Sequence, residues 1–295
     1  RGLGDVYKRQ AKSSAEMELN MERERLGSRL GFILLSAGCA IGIGNVWKFP
    51  YMAGQYGGGA FVLCYLFFLI ILGIPVMTIE FSLGRASRKS PVKLYHALEK
   101  PGQKWHLHGY AAMAGNYLLM MFYTTVAGWM LHYFFYMAEG TFVGTDAEAI
   151  GTIFGNMLAD PYGMVGFMAV VVLLGFGICS IGLQNGLEKV SKIMMLALLA
   201  IMVVLAFNSL LLKGGGEGLR FYLLPDFERM TSLGIGNVLL GAMTQAFFTL
   251  SLGIGSMAIF GSYIGKERTL LGEAVNVAVL DTFVAFVSGL IIFPA

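Results

Sequence analysis

The sequence predicts an all-α polytopic membrane protein, and three observations support that prediction. Hydrophobic residues make up 56% of the chain and charged residues only 13%, with a mean hydropathy of +0.68, whereas soluble domains are roughly 25% charged. The charges cluster, so that long runs such as 110–138 contain no Asp, Glu, Lys or Arg. Glycine clusters interrupt two of the apolar runs near their middle. Lipid requires backbone groups to pair within each spanning segment, so these runs should be helices.

Seven apolar runs are long enough to cross a bilayer, whose hydrocarbon core of about 30 Å takes about 20 helical residues. The predicted spans are 29–50, 60–84, 110–138, 162–181, 190–212, 234–263 and 273–295. Residues 1–20 lack the apolar core of a signal peptide, and we expect them to be disordered or unrelated to the rest of the chain. We expect 21–295 to form one transmembrane domain, truncated after the seventh span because the chain stops inside an apolar run.

The distribution of basic residues between alternate loops predicts the orientation. If the N-terminus is cytoplasmic, the inner loops (85–109, 182–192 and 264–272) contain ten Lys or Arg residues. The outer loops (51–59, 139–161 and 213–233) then contain three, and the loop 139–161 is acidic. Positive residues favour the cytoplasmic side, so the sequence predicts a multi-pass protein of the cell inner membrane with its N-terminus inside.

The first and sixth spans each carry a glycine cluster at mid-span. The first contains Gly38, Gly42 and Gly44, and the sixth contains Gly253 and Gly255. Glycine costs a helix about 1 kcal/mol relative to alanine, so each cluster marks a place where the helix can unwind. Close helix packing through small residues is the alternative interpretation. The five-span offset puts the two clusters in opposite orientation across the bilayer, and paired broken helices of this kind indicate a transporter's midplane site.

The residues around these breaks closely resemble the neurotransmitter:sodium symporter family, in its prokaryotic amino-acid branch. The matching segments are RLGF at 29–32, GIGNVWKFPY at 42–51, GGGAF at 57–61, GIP at 73–75, EFSLGR at 80–85 and QAFFTLSLG at 245–253. The resemblance covers about residue 21 to the end of the chain. It implies a 5+5 inverted-repeat transporter fold with broken first and sixth helices, of which this chain would hold spans one to seven.

The resemblance implies a substrate site built on both breaks. The substrate carboxylate would meet the amides around Ile43 and Gly44, and Tyr123 would bond the carboxylate and help to close the outer gate. The groups expected to meet the substrate amine are the carbonyls of Ala40, Phe248 and Thr249 and the hydroxyl of Ser251. The residues expected to line the side-chain pocket are Leu119, Met120, Phe248 and Ile254.

Gly42 is the position that discriminates between substrate classes in this resemblance. Monoamine carriers of the family place an Asp there, which replaces the carboxylate that their substrates lack. Glycine leaves that role to the substrate, so an α-amino acid fits, and the apolar pocket favours an apolar or aromatic one. One methylene is worth only about 1–3 kcal/mol in such pockets, and which amino acid is carried stays open.

The resemblance also implies bound sodium ions, which as hard cations prefer oxygen ligands, by the same logic as calcium. The first site would use the Ala40 carbonyl, Asn45, Thr249 and Asp281, with the substrate carboxylate as a further ligand. The second site would use the carbonyls of Gly38 and Ile41, with its other ligands in an eighth span.

Asp281 stands where many family members carry Asn. A carboxylate inside a span is expensive and indicates function. Eukaryotic relatives need chloride to balance the charge of sodium, and some bacterial ones use a Glu one turn later, where this chain has Ala285. Our hypothesis is that Asp281 supplies the fixed negative charge, so that transport is chloride-independent. A structural carboxylate and a proton relay are the alternatives.

Four further residues match supporting or gating positions of the family. Glu80 would bond the backbone of the broken helices, and Lys48 would act at the outer gate, where the family commonly has Arg. Arg23 and Tyr263 match a cytoplasmic gating network. For Arg23, attraction to lipid headgroups is an equal alternative.

Together these features predict sodium-coupled symport of an amino acid by alternating access. A symporter of a betaine- or sulfonate-type solute, and an amino-acid-binding sensor or channel-like membrane protein, are the rival interpretations. The sequence shows no nucleophile–base pair or metal-ligand set, so an enzyme is not expected, and the net charge of +3 includes no nucleic-acid patch. The expected partners are the amino acid, sodium and the bilayer, while a homodimer and the sodium stoichiometry stay open.

Overall fold

The computed structural model describes residues 36–38, 40–212, 214–265 and 267–295, and almost all of their ordered backbone is helical. Within these residues, the one β-type pairing is an isolated bridge between Gly58 and Pro225. The predictions for residues 1–20 and for Arg23 fall outside the described residues.

Five helices in the described ranges are long and apolar enough to cross a membrane. They are Gly59–Ser87, His106–Ala138, Pro161–Ser180, Gly186–Leu210 and Leu270–Ile292. These helices correspond to the predicted spans two, three, four, five and seven, and we use those names below. This arrangement confirms an all-α membrane protein. Span six is absent from the set because it is broken into shorter pieces, and predicted span one lies partly outside the described residues.

Two of the long spans contain π-helical turns that change their direction or packing. Span two runs through an α-helix Gly59–Phe68, a π-helical turn Leu69–Gly73 and an α-helix Ile74–Ser87. Pro75 lies at the start of the last segment, where a residue without an N–H cannot continue the α-helical ladder of the preceding turn. Span five similarly begins as a π-helix, Leu183–Glu188, and continues as Lys189–Leu210.

The connections predicted as loops contain short helices. These are Pro91–Leu98 between spans two and three, Ala147–Ala159 between spans three and four, and Gly216–Leu223 and Phe227–Ser232 between spans five and six. The Asp146 side chain accepts a hydrogen bond from the Ala149 amide, and Asp226 does the same for Arg229. The acidic character of the loop 139–161 is therefore partly helix capping, since Asp is a favoured N-cap.

Two buried clusters join the spans that carry the breaks. The larger one links spans one, two, six and seven around Phe49, Phe61 and Tyr65. The smaller one links spans one, five and seven through residues such as Met195 and Val284. Span four, by contrast, has no buried residue among Pro161–Ser180. A lipid-facing helix gains little from exclusion of water, because lipid tails are as apolar as the protein surface.

Span two approaches the second half of span six at glycine positions. A Cβ added at Gly84 would collide with the Ala258 carbonyl, and one added at Gly261 would collide with the Phe81 backbone. Small residues of this kind let helix backbones approach closely inside a membrane. Span two is therefore a fixed support beside the break in span six.

Candidate functional site

Span one is interrupted at the predicted glycines. Residues 36–38 and 40 are helical, residues 41 and 42 form a bend, and a π-helical turn then runs over Gly44–Lys48. The amides of Asn45 and Val46 both donate to the Gly42 carbonyl, at 3.1 and 3.3 Å. The chain continues as the α-helix Phe49–Gln55. The expected break in the first helix is thus observed.

Span six is interrupted more widely. Six residues, 250–255, separate its first half, Ile235–Thr249, from its second half, Ser256–Gly261. Within the gap, Ser251, Gly253 and Gly255 have positive φ angles of 52°, 85° and 77°. Glycine tolerates this left-handed region, whereas a serine there stores backbone strain, a feature that clusters at functional sites.

A buried polar centre lies between span one, span six and span seven. The Asn45 side-chain amide donates to Asp281 Oδ1 at 2.8 Å and to the Asp281 carbonyl at 3.1 Å. The Thr249 hydroxyl donates to the same carboxylate, at 3.0 Å from Oδ2. The Tyr65 hydroxyl approaches Oδ2 at 3.5 Å. Asn45, Thr249 and Asp281 are almost completely excluded from solvent.

This centre has the chemistry of a site for a hard monovalent cation. A carboxylate taken out of water carries a penalty of several kcal/mol unless charge and hydrogen bonds compensate it. The donors that the structure shows for Asp281 belong to Asn45, Thr249 and Tyr65, all of them neutral groups that leave its charge unbalanced. Amide, hydroxyl and carboxylate oxygens are the ligands that such cations prefer. The structure brings together three of the side chains predicted for the first sodium site, and Ala40 is buried just before the bend.

The two glycines of the first break have different surroundings. A Cβ added at Gly42 would find no described atom within 4 Å, whereas one added at Gly44 would lie 3.0 Å from the Phe248 ring. The Gly42 amide donates to Asn45 Oδ1 at 3.2 Å. A larger residue at position 44 would therefore have to displace the Phe248 ring by a few tenths of an ångström, whereas position 42 borders open space.

A cavity of about 320 Å³ lies beside Ile43, the residue that follows Gly42. The residues that line it are Ile43, Trp47, Lys48, Tyr51, Met52, Phe122 and Phe248. The Lys48 ammonium lies 3.6 Å from the centroid of the Phe248 ring, a cation–π contact. The Tyr123 ring lies 6.4 Å from the same ring, centroid to centroid. The cavity is thus closed on one side by a lysine that is held over an aromatic ring.

The other predicted pocket residues differ in how far they are buried. Leu119 is half-buried on span three, one turn before Tyr123, and Ile254 is half-buried within the gap of span six. The Ser251 carbonyl accepts a hydrogen bond from the Ser256 hydroxyl at 2.8 Å. Met120 is 60% exposed and is not among the residues that line the cavity, so its assignment to the pocket wall finds no support.

Polar side chains hold the broken backbone of span six. Glu80 Oε1 accepts a hydrogen bond from the Gly253 amide at 2.7 Å, which is the kind of contact expected of Glu80. Asn116 donates to the Ile254 carbonyl at 2.7 Å, a role that the sequence analysis did not identify. Unwound backbone inside a membrane is tolerated where other groups of the protein satisfy its N–H and C=O groups.

Span one is held in the same way by two residues that the sequence analysis also missed. Gln245 donates to the Gly44 carbonyl at 3.0 Å, and the Ser288 hydroxyl donates to the Asn45 carbonyl at 2.8 Å. Both side chains are buried. Their sequence signal is a polar residue inside an otherwise apolar span, which indicates a hydrogen-bonding role without identifying the partner.

The structure describes some of the residues of the second predicted ion site and of the cytoplasmic gate. Gly38 packs near Met195, to which an added Cβ would come within 3.4 Å, and Ile41 is buried beside it. Tyr263 is half-buried just after the second half of span six. Its expected partner, Arg23, lies outside the described residues, so this gate stays a prediction.

Comparison with known sequences identifies relatives of this chain. The sequence pattern described as the sodium:neurotransmitter symporter family matches residues 23–144 and 156–295. The sodium-dependent transporter YhdH of Bacillus subtilis is 36% identical over 91% of this chain and 58% of its own length. MJ1319 of Methanocaldococcus jannaschii, also described as a sodium-dependent transporter, is 34% identical over 92% of this chain and 56% of its own length. The chain thus spans a little over half the length of these relatives.

A solved structure and a mammalian relative extend the comparison. The crystal structure of MhsT in complex with L-phenylalanine matches with a TM-score of 0.84 and 40% identity, over 92% of this chain and 61% of that one. The mouse sodium-dependent neutral amino acid transporter B(0)AT2 is 28% identical over 94% of this chain and 41% of its own length. The matched pattern covers both breaks and the polar centre between them, and the chain belongs to the sodium:neurotransmitter symporter family, a family of transporters and not of enzymes.

Proposed function

We propose that the protein transports an apolar or aromatic amino acid into the cell together with sodium ions. The observation that carries this proposal is the convergence of Asn45, Thr249 and Asp281, at hydrogen-bonding distances, where the breaks of spans one and six meet span seven. A buried carboxylate surrounded by neutral oxygen-bearing groups binds a hard cation well. The broken helices supply free amides and carbonyls for an amino acid beside it.

The surroundings of Gly42 support an α-amino acid as the substrate. An added side chain there would enter open space, so the glycine leaves room for a substrate that brings its own carboxylate. The apolar and aromatic residues around the adjoining cavity, including Ile43 and Phe248, suit an apolar or aromatic side chain. MhsT, which binds L-phenylalanine in its crystal structure, and the neutral amino acid transporter B(0)AT2 point to the same class.

Transport should not require chloride, because Asp281 provides a permanent negative charge beside the proposed sodium ion. The carboxylate is fully buried and receives its hydrogen bonds from neutral groups. Ala285, one turn later, is also buried and offers no charge of its own. Replacing chloride by gluconate on both sides of the membrane should leave the rate of uptake unchanged, whereas a strong loss of uptake contradicts this part of the proposal.

Alternating access is the mechanism that the breaks support. Sodium and substrate bind together at the interrupted spans, and movement of these spans against their neighbours exposes the site to either side. The excess of basic residues in the loops 85–109, 182–192 and 264–272 supports a cytoplasmic N-terminus and residence in the inner membrane. Lys48 over Phe248 is then on the outer side of the site, where we propose that it acts as a gate with Tyr123.

The proposal is tested by uptake of labelled amino acids into proteoliposomes that contain the full-length protein, with an inward sodium gradient or with potassium alone. Accumulation of phenylalanine or a similar amino acid that depends on the sodium gradient is the expected result. Binding without accumulation would favour a sensor or channel-like protein. Transport of betaine or a sulfonate amine, with no competition from amino acids, would overturn the substrate class.

A further inference from the structure

A second polar cluster lies away from the broken helices, at the connection between spans two and three. The helix Pro91–Leu98 carries His96, and Glu99 is its C-cap residue. His106 is the first residue of span three. His96 Nδ1 lies 3.3 Å from Glu99 Oε1, and His106 Nδ1 lies 2.9 Å from both carboxylate oxygens. The two imidazole rings are nearly parallel, at 4° and 4.5 Å between centroids.

We propose that His96, Glu99 and His106 bind a divalent transition-metal ion of the zinc type. Their ligand atoms all lie within 4.8 Å of one another. Zinc sits about 2.0–2.2 Å from nitrogen and oxygen ligands in a tetrahedral shell, which places neighbouring ligand atoms roughly 3.4 Å apart. The observed separations of 2.9 and 3.3 Å are close to this spacing. Because an imidazole lone pair lies in the plane of its ring, metal binding requires the two stacked rings to rotate until both Nδ1 atoms face the ion. Two imidazoles and one carboxylate are a known zinc set that leaves a fourth position for water.

The choice of donors sets the class of metal. Imidazole nitrogen suits zinc, copper, nickel and cobalt, whereas sodium, magnesium and calcium prefer shells of oxygen. Glutamate carboxyls are ionised at neutral pH, so Glu99 supplies the negative charge of the site.

A purely structural role does not account for the whole cluster. Glu99 Oε2 accepts a hydrogen bond from the His106 backbone amide at 3.1 Å and so caps the start of span three, as acidic groups do at helix N-termini. That function needs no imidazole. The cap does, however, fix the carboxylate in place, and such outer hydrogen bonds are what orient metal ligands in proteins. A bound metal would link the helix Pro91–Leu98 to the start of span three.

The cluster is accessible to a metal in solution. The His96 side chain is 48% exposed, and those of His106 and Glu99 are 26% and 13% exposed. The three residues share no contact with Asn45, Thr249 or Asp281 in the proposed transport site. The inference therefore stands independently of the proposed transport function, and its test reads metal binding rather than uptake.

The test is calorimetric titration of zinc chloride into the full-length protein, purified without a histidine tag and freed of metal with a chelator. We expect one zinc ion to bind at this cluster. The variants His96→Asn, Glu99→Gln and His106→Asn should each bind that ion at least about tenfold more weakly. The matched control is His108→Asn, two residues further along span three, whose ring packs edge-on against Tyr95 and should leave the affinity unchanged.

X-ray absorption at the zinc edge identifies the ligands directly. The bound metal should show two imidazole nitrogens at about 2.0–2.1 Å in the wild type, and one of them should be lost in His96→Asn. Size-exclusion profiles that match the wild type show that each variant is folded. The proposal is overturned if the wild type binds no zinc, if the three variants bind as tightly as the wild type, or if His108→Asn loses binding equally.

Discussion

The carboxylates of Asp281 and Glu99 are each contacted by three polar groups of other residues, but in different surroundings. Asp281 is fully buried between three membrane spans, and its partners are the amide of Asn45 and the hydroxyls of Thr249 and Tyr65. Glu99 lies in a connection outside the spans, and its partners are two imidazoles and the backbone amide of His106.

In the two sites that we propose, one functional group would serve two kinds of ion. Oxygen-bearing partners around a buried charge suit a hard cation, and nitrogen-bearing partners at an accessible surface suit a borderline one. Burial also sets the consequence of losing the carboxylate. Removing Asp281 leaves dry donors without an acceptor, whereas the partners of Glu99 can turn to water.

The largest effect should follow Asp281→Ala. The variant removes a proposed sodium ligand and the acceptor of the buried Thr249 hydroxyl, at about 1–3 kcal/mol for an unsatisfied group. It leaves the Asn45 amide with only the backbone carbonyl of residue 281 as its acceptor on span seven. We expect sodium-dependent substrate binding to weaken by about 100-fold or more, as measured by scintillation proximity with a labelled amino acid. Val279→Ala on the same span, at a residue 62% exposed, is the control. Equal binding by the two variants would contradict a role for Asp281 in the site.

The second largest effect on substrate affinity should come from substitutions of the two glycines in the first break. A methyl group in Gly44→Ala would press on the Phe248 ring, whereas in Gly42→Ala it would enter open space. Overpacking typically costs about 1–3 kcal/mol, so Gly44→Ala should lower the affinity for substrate by about tenfold. Gly42→Ala should lower it by less, since only the substrate would meet the methyl group. The reverse order in a competition binding assay would contradict this prediction and show that the substrate packs more tightly against Gly42 than the Phe248 ring packs against Gly44.

Sequence reasoning reached the breaks and much of the buried centre for identifiable reasons. Glycine clusters mark unwinding locally, so the interruptions around Gly42 and Gly253 could be predicted from the chain itself. The meeting of Asn45 with Asp281, 236 positions apart in sequence, came only from resemblance to the family. No periodicity or spacing connects residues in different helices at that distance.

The contacts that the sequence analysis missed depend on how the helices pack in three dimensions. Gln245 and Ser288 are visible as polar residues in apolar spans, but their partners, the Gly44 and Asn45 carbonyls, are set by how the helices pack. The sequence analysis did not single out His96, Glu99 and His106, whose ligand atoms the structure brings within 4.8 Å of one another. Their ligands come from a helix, its end and the next span, so they match none of the short metal-binding motifs.

Glu80 is a third carboxylate, and its substitution should have an effect between those expected at Asp281 and Glu99. It is 8% exposed and accepts the Gly253 amide of the broken span. Glu80→Gln keeps the shape but removes the charge, and hydrogen bonds to charged groups are worth about 1.5–3 kcal/mol against about 1 kcal/mol for neutral ones. We expect lower thermal stability in detergent and a few-fold lower uptake. Glu148→Gln, in the helix between spans three and four, is the control and should leave both unchanged.

The smallest effect on transport should come from Glu99→Gln, which separates the two carboxylates most clearly. Interactions of exposed charged groups contribute about 0–1 kcal/mol, so the variant in metal-free buffer should unfold close to the wild-type temperature and bind sodium and substrate normally. Zinc should raise the unfolding temperature of the wild type and of His108→Asn but not of Glu99→Gln, because only the last lacks a ligand. Loss of sodium-dependent uptake in metal-free Glu99→Gln would show that the two centres are coupled, and would remove the distinction between a buried transport site and a separate surface site.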